Sequence, residues 1–244
     1  MDLLPKEEVM YTEKRVILAA DELGYDPLLK LLGQIGSRIY AVKVHNMYDL
    51  YGPQIVGELR GAGVRRIWVD AKLHDIPNTA KLRARALRLS GCDIITVHAS
   101  GGAKMMAAAQ EGFGVGKVFG VTALTSLDDE DIKDIYNAES SGELVNRLAP
   151  KVKASGIAGL VCSAMELTML RQQPQYKHLE LVVPGIRSAG VDVDDQKRVD
   201  TPGNAIKAGA TYLVIGRQLT KAEDPVAALD ALEAELTIVE GVAA

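Results

Sequence analysis

Cysteine is nearly absent. Cys92 and Cys162 are the only two, each inside an apolar run. Two such thiols do not frame a disulfide-stapled fold, so both are expected buried and reduced. No apolar run approaches the ~18 residues of a membrane span. The opening Met1-Asp2-Leu3-Leu4-Pro5-Lys6-Glu7-Glu8 lacks the basic start and apolar run of a secretory leader. A soluble, cytoplasmic protein with no membrane partner is expected. Positive charge is not in surplus either: 28 Lys and Arg face 32 Asp and Glu, a net −4. A nucleic-acid partner, which would call for a basic surface, is not expected, whereas a local site for a small anion is compatible.

Several familiar chemistries are missing too. Gly112-Phe113-Gly114-Val115-Gly116-Lys117 resembles a phosphate loop only superficially. The motif needs glycine where Glu111 stands and Ser or Thr where Val118 stands. No Gly-x-Gly-x-x-Gly follows the first apolar run, and Gly-x-Ser-x-Gly is absent. His45, His74, His98 and His178 show no paired metal-ligand spacing, so no dedicated metal site is expected.

What is present is a regular alternation. The 244 residues are 48% apolar and 25% charged, and surface scaling lets a chain of this size bury about 70% of its surface. Eight short runs, most rich in Val and Ile, read as strands apolar on both faces: 16–20, 39–44, 66–71, 93–98, 117–124, 156–162, 179–183 and 211–215. Helical patterns lie between them. Pro77–Ser90 is expected to turn Leu82, Ala86 and Leu89 inward and Lys81, Arg85 and Arg88 outward, with Gly91 stopping it. Asp224-Pro225 caps another, with Leu229, Leu232, Leu236 and Val239 as its stripe. Asp128–Asp131 reads as a solvated loop or a helix start. Eight alternations without a linker predict an α/β chain folded as one (β/α)8 TIM barrel domain over residues 1–244, with a doubly wound open sheet as the rival.

Charge collects where the strands stop. Asp21 ends the first run, Lys43 lies in the second, and the third runs through Asp70-Ala71-Lys72-Leu73-His74-Asp75. Strand period two puts Asp70 and Lys72 on one side. Barrel chemistry sits at the C-terminal strand ends, and alternating signs there offset the cost of burying charge. Pro184-Gly185-Ile186-Arg187 follows run seven, and Gly216-Arg217 follows run eight. That is the usual barrel phosphate site, where glycine admits the anion to the backbone and arginine clamps it.

Asp70-Ala71-Lys72-Leu73-His74-Asp75-Ile76-Pro77-Asn78-Thr79 resembles the signature of the orotidine 5′-phosphate decarboxylase family. The Asp-x-Lys-x-x-Asp core is shared with sugar-phosphate decarboxylases of the wider superfamily; the Ile-Pro-Asn-Thr tail points to the orotidylate branch. Thr122–Ser126 resembles the family's pyrimidine loop. Pro184–Arg187, Asp194–Val199 with Thr201-Pro202, and Gly216-Arg217 resemble its phosphate-binding segments. The likeness spans roughly residues 16–220. There are departures: Val44-His45-Asn46-Met47 replaces the usual Val-Gly and acidic residue, and Ala71 and Ala20 stand where larger apolar residues are common.

The resemblance implies cofactor-free conversion of orotidine 5′-monophosphate to UMP and CO2 by a homodimer. It implies Lys72 as the proton donor to C6 and Asp70 against the substrate carboxylate. Asp75 and Thr79 would reach the neighbouring subunit's site. Lys43, also catalytic, would hold the ribose hydroxyls and the carboxylates, Asp21 a ribose hydroxyl, Thr125 would meet the pyrimidine ring, and Arg187, Gln196, Gly216 and Arg217 would hold the phosphate. Residues 188–201 are the candidate lid. Two alternatives stay open: a metal-dependent keto-sugar phosphate decarboxylase, and a non-catalytic nucleotide-binding barrel.

Overall fold

The eight apolar runs do become strands, and each pairs parallel with the next. In the computed structural model, which describes residues 14–188 and 200–242, they are β1 (Val16–Ala19), β2 (Ala41–Val44), β3 (Ile67–Leu73), β4 (Ile94–His98), β5 (Lys117–Val121), β6 (Gly159–Val161), β7 (Glu180–Val183) and β8 (Tyr212–Ile215). β8 returns to pair with β1, Ile17 opposite Val214, so the sheet closes into a barrel. That closure excludes the open doubly wound sheet.

The helices are α1 (Tyr25–Ile35), α2 (Asn46–Tyr51), α3 (Gln54–Gly61), α4 (Pro77–Leu89), α5 (Gly102–Phe113), α6 (Asp129–Tyr136), α7 (Ser141–Ser155), α8 (Leu167–Arg171), α9 (Pro202–Lys207), α10 (Arg217–Thr220) and α11 (Pro225–Val242). The acidic stretch proves to be a helix start: Asp128 and Asp131 form a reciprocal capping box on α6. Asp224 accepts from the backbone N–H groups of Val226 and Ala227 and caps α11. Leu229, Leu232, Leu236 and Val239 are buried as the periodicity predicts.

Strand alternation creates two apolar layers. Leu18, Val42, Ile95 and Val97 face the helices, whereas Ile17, Trp68, Ile94, Phe119 and Val182 fill the barrel. The N-terminal end is plugged by Tyr40 stacked on Tyr212, ring centroids 4.0 Å apart. Lys117 lies beside them, donating to Glu180 at 2.5 Å and to the Tyr212 hydroxyl at 3.1 Å. Among the described residues, the barrel's open cavity lies at its C-terminal end.

One expectation fails. α4 buries Ala80, Ala84 and Leu87, while Leu82 and Leu89 are 57% and 79% exposed and Ala86 is exposed as well. Both sets lie at helical spacing. The small-residue face wins because α4 approaches α5 closely: a Cβ on Gly112 would collide with the Lys81 carbonyl.

Candidate active site

The C-terminal mouth holds a cavity of about 360 Å³ lined by residues from all eight strand ends. On one wall four charges alternate. The Lys43 ammonium, on β2, donates to both Asp21 carboxylate oxygens at 2.7 and 2.9 Å, and lies 3.4 Å from Asp70 Oδ2. The same Oδ2 accepts from Lys72 Nζ at 2.7 Å. Lys43 and Asp70 are each only 8% exposed. Such burial is tolerable because each charge faces the opposite sign. Burial alone would raise the Asp70 carboxyl, but the charges of Lys43 and Lys72, with hydrogen bonds from Lys72 and Thr96, outweigh it and hold its pKa below the ordinary value.

Asp70 and Lys72 do face the same side, but regular pleating is not the reason. Between the pairs Val69–Ile95 and Leu73–Val97, β3 advances four residues and β4 only two. The surplus makes a bulge containing Asp70, Ala71 and Lys72. Lys72 sits at φ +42°, in the left-handed region, at a cost of roughly 1 kcal/mol or more for a residue with a Cβ. Thr96, on β4, lies opposite. Its hydroxyl donates to Asp70 Oδ1 at 2.6 Å and accepts from the Lys72 backbone N–H at 3.1 Å.

The other wall carries Gly185, Arg187, Gly216 and Arg217. Gly185 takes φ +73°, which only glycine adopts freely, and turns the chain from β7 to Arg187. Arg187 is 6% exposed and donates to the Ile186 carbonyl at 3.1 Å. Gly216 and Arg217 enter from the end of β8, with Arg217 reaching to within 4.0 Å of Glu22. Thr125 lines the cavity, half-buried, from the chain after β5.

Of the residues expected from sequence, Asp21, Lys43, Asp70, Lys72, Thr125, Arg187, Gly216 and Arg217 come together around this cavity. Asp75 and Thr79 do not line it: Asp75 is exposed in the turn before α4, accepting from the Ile76 N–H, and Thr79 sits in the first turn of that helix. Gln196 and most of the candidate lid lie outside the described residues. Sequence reasoning missed Thr96, although it is the lone polar residue in the run Ile94-Ile95-Thr96-Val97. It also missed Trp68 and Glu22, which line the cavity. A second cavity of about 340 Å³ shares Asp70 and Lys72 and is bounded by the departing residue His45, with Tyr48, Asp49 and Arg83. Cys92 and Cys162 are free and buried, and burial pushes the Cys92 thiol up to about 11. Among the described residues no helix is long and apolar enough to cross a membrane.

Residues 14–232 match the family model described as orotidine 5′-phosphate decarboxylase / HUMPS family. An orotidine 5′-phosphate decarboxylase of Streptococcus mutans is 40% identical over 227 residues, covering 91% of this chain and 98% of its own. One from Aliivibrio fischeri is 41% identical over 233 residues, covering 93% and 99%. The crystal structure of the Lactobacillus acidophilus orotidine 5′-phosphate decarboxylase superposes with a TM-score of 0.79 at 33% identity, covering 92% of this chain and 99% of that one. With a match over nearly its whole length, the chain belongs to the orotidine 5′-phosphate decarboxylase / HUMPS family.

Proposed function

We propose that this protein decarboxylates orotidine 5′-monophosphate to UMP and CO2, the closing step of pyrimidine nucleotide synthesis. The observation that carries the reading is the Asp21–Lys43–Asp70–Lys72 array facing Arg187, Gly216 and Arg217 across one cavity. One wall suits a reacting carboxylate and ribose hydroxyls, the other a phosphate.

The chemistry follows from charge. The bond from C6 to the carboxylate breaks, CO2 leaves, and the electron pair stays on C6. The Lys72 ammonium, fixed in a water-poor site, stabilises that developing charge and then transfers its proton to C6. Solvent reprotonates the amine. Asp70 lies where the substrate carboxylate docks, so its charge opposes the ground state and loses that opposition as CO2 departs. Lys43 and Asp21 hold the ribose, and Thr125 meets the pyrimidine. Gln196 joins Arg187, Gly216 and Arg217 on the phosphate. Phosphate binding is remote from C6, so its energy serves to close and dry the site. The protein works in the cytoplasm as a homodimer, in which the partner subunit's Asp75 and the partner subunit's Thr79 complete each cavity. No cofactor enters the reaction.

The test is the fall in orotidine 5′-monophosphate absorbance with chelator-treated protein, beside Lys72→Ala. Turnover by the intact protein alone, with UMP binding kept by the variant, is the expected result. Activity restored only by Mg²⁺ would move the reading to the sugar-phosphate branch. UMP binding without turnover would make the barrel a binding protein.

A further inference from the structure

The fully buried threonine on β4 has a place in the reaction that the charged residues do not explain. Thr96 is 0% exposed and its side chain reaches the cavity between Asp70 and Lys72. One oxygen makes both bonds, and their directions are fixed. The Lys72 backbone N–H can only donate, so it takes a lone pair of the Thr96 hydroxyl. The hydroxyl proton is then committed to Asp70 Oδ1. Asp70 is thereby held with its other oxygen turned to both ammonium groups, 2.7 Å from Lys72 Nζ and 3.4 Å from Lys43 Nζ. The threonine also ties down the backbone of Lys72 where it takes its left-handed conformation, φ +42°. Among the described residues no other bonds both the Asp70 carboxylate and the Lys72 backbone, the two groups that flank C6 in the proposed reaction.

We infer that Thr96 is a positioning residue for the decarboxylation: its hydroxyl clips the β3 bulge, fixing the Asp70 carboxylate plane and the Lys72 backbone in the reacting geometry. The inference rests on the reaction proposed above. Its consequence is a split between binding and turnover. UMP lacks the carboxylate that meets Asp70, so loss of the clip should leave UMP binding largely intact. The chemical step depends on where Lys72 Nζ stands relative to C6, and misplacement of order 1 Å costs up to about 100-fold.

Thr96→Val keeps the shape and removes the hydroxyl. It is expected to lower kcat by about 10- to 100-fold while the Kd for UMP changes less than about threefold. Thr96→Ser, which restores the oxygen, should recover most of the loss. Asp70 also loses a hydrogen bond that favours its charged form, so the acid limb of the kcat/KM profile should move to higher pH in Thr96→Val. A merely structural role would lower the melting temperature and leave kcat and the acid limb of the folded protein unchanged; that result overturns the inference. Should Thr96→Val not fold, Thr96→Cys replaces it: a weak donor and acceptor predicts a kcat between that of Thr96→Ser and that of the inactive Lys72→Ala, and wild-type kcat overturns the inference. The wild-type protein in the same assay separates the two readings. Normal turnover by wild type and Thr96→Val alike defeats the clip alone, whereas no turnover by wild type defeats the reaction and the clip with it.

Discussion

Asp70 is the residue on which the site's electrostatics turn. It is buried, accepts from Lys72 and Thr96, and lies beside Lys43. Its folded pKa lies below the usual 3.8, so the unfolded chain takes up the proton first. The stabilisation is therefore complete above about pH 4 and is lost as pH falls through the folded value. Asp70→Asn leaves the buried Lys43 ammonium and the half-buried Lys72 ammonium short of a partner and should cost about 3 kcal/mol at pH 7. In urea unfolding the gap to wild type should narrow as pH falls below about 4 and the wild-type carboxyl takes up its own proton; a gap constant with pH would sink the assignment. At this scale the sequence was most informative about charged residues. Lys43, Asp70 and Lys72 stand out because a charge at the end of an apolar strand has to be compensated. Thr96 did not, because a lone threonine in a strand reads as ordinary core, and its two bonds depend on a bulge in the facing strand that no periodicity announces.

The elements were legible where a single periodicity operates and misread where two compete. All eight strands and the stripe of α11 follow from apolar spacing alone. α4 offers two stripes, Ala80–Ala84–Leu87 and Leu82–Ala86–Leu89, and hydrophobicity favours the wrong one. The decision belongs to its neighbour α5, whose Gly112 lets the Lys81 carbonyl approach too closely for any side chain. This gives opposite signs for one substitution at two helical glycines. Gly112→Ala gains helix propensity but drives a methyl into backbone, and should cost about 3 kcal/mol, a fall of about 10 °C in Tm. Gly33→Ala, in α1 with nothing near its Cβ position, should instead add roughly 0.5–1 kcal/mol. Thermal unfolding of the two variants decides it, and a neutral Gly112→Ala would mean that the helices can part without penalty.

For the molecule as a whole, the described chain presents a cavity without two of the residues the family signature supplies. Asp75 and Thr79 sit at the start of α4, away from their own cavity wall. Leu82, Ala86 and Leu89 along that helix and Ile76 at its cap are exposed. The proposed homodimer accounts for both facts, covering an apolar face and delivering each Asp75 to the opposite site. The arrangement was readable only through the resemblance, because a pattern within one chain does not say which copy a side chain serves. It makes a prediction that no self-contained site shares. Lys72→Ala and Asp75→Asn should each be inactive alone. Mixed in equal amounts and allowed to exchange, half the dimers pair one variant with the other, and each such dimer holds one site with both intact groups. About a quarter of wild-type activity should return. Native mass spectrometry verifies the exchange. If mixed dimers form and activity stays at zero, Asp75 serves its own chain; if only monomers are found, the cavity must be complete without a partner. Recovery requires that a lysine from one subunit and a carboxylate from the other act on the same substrate.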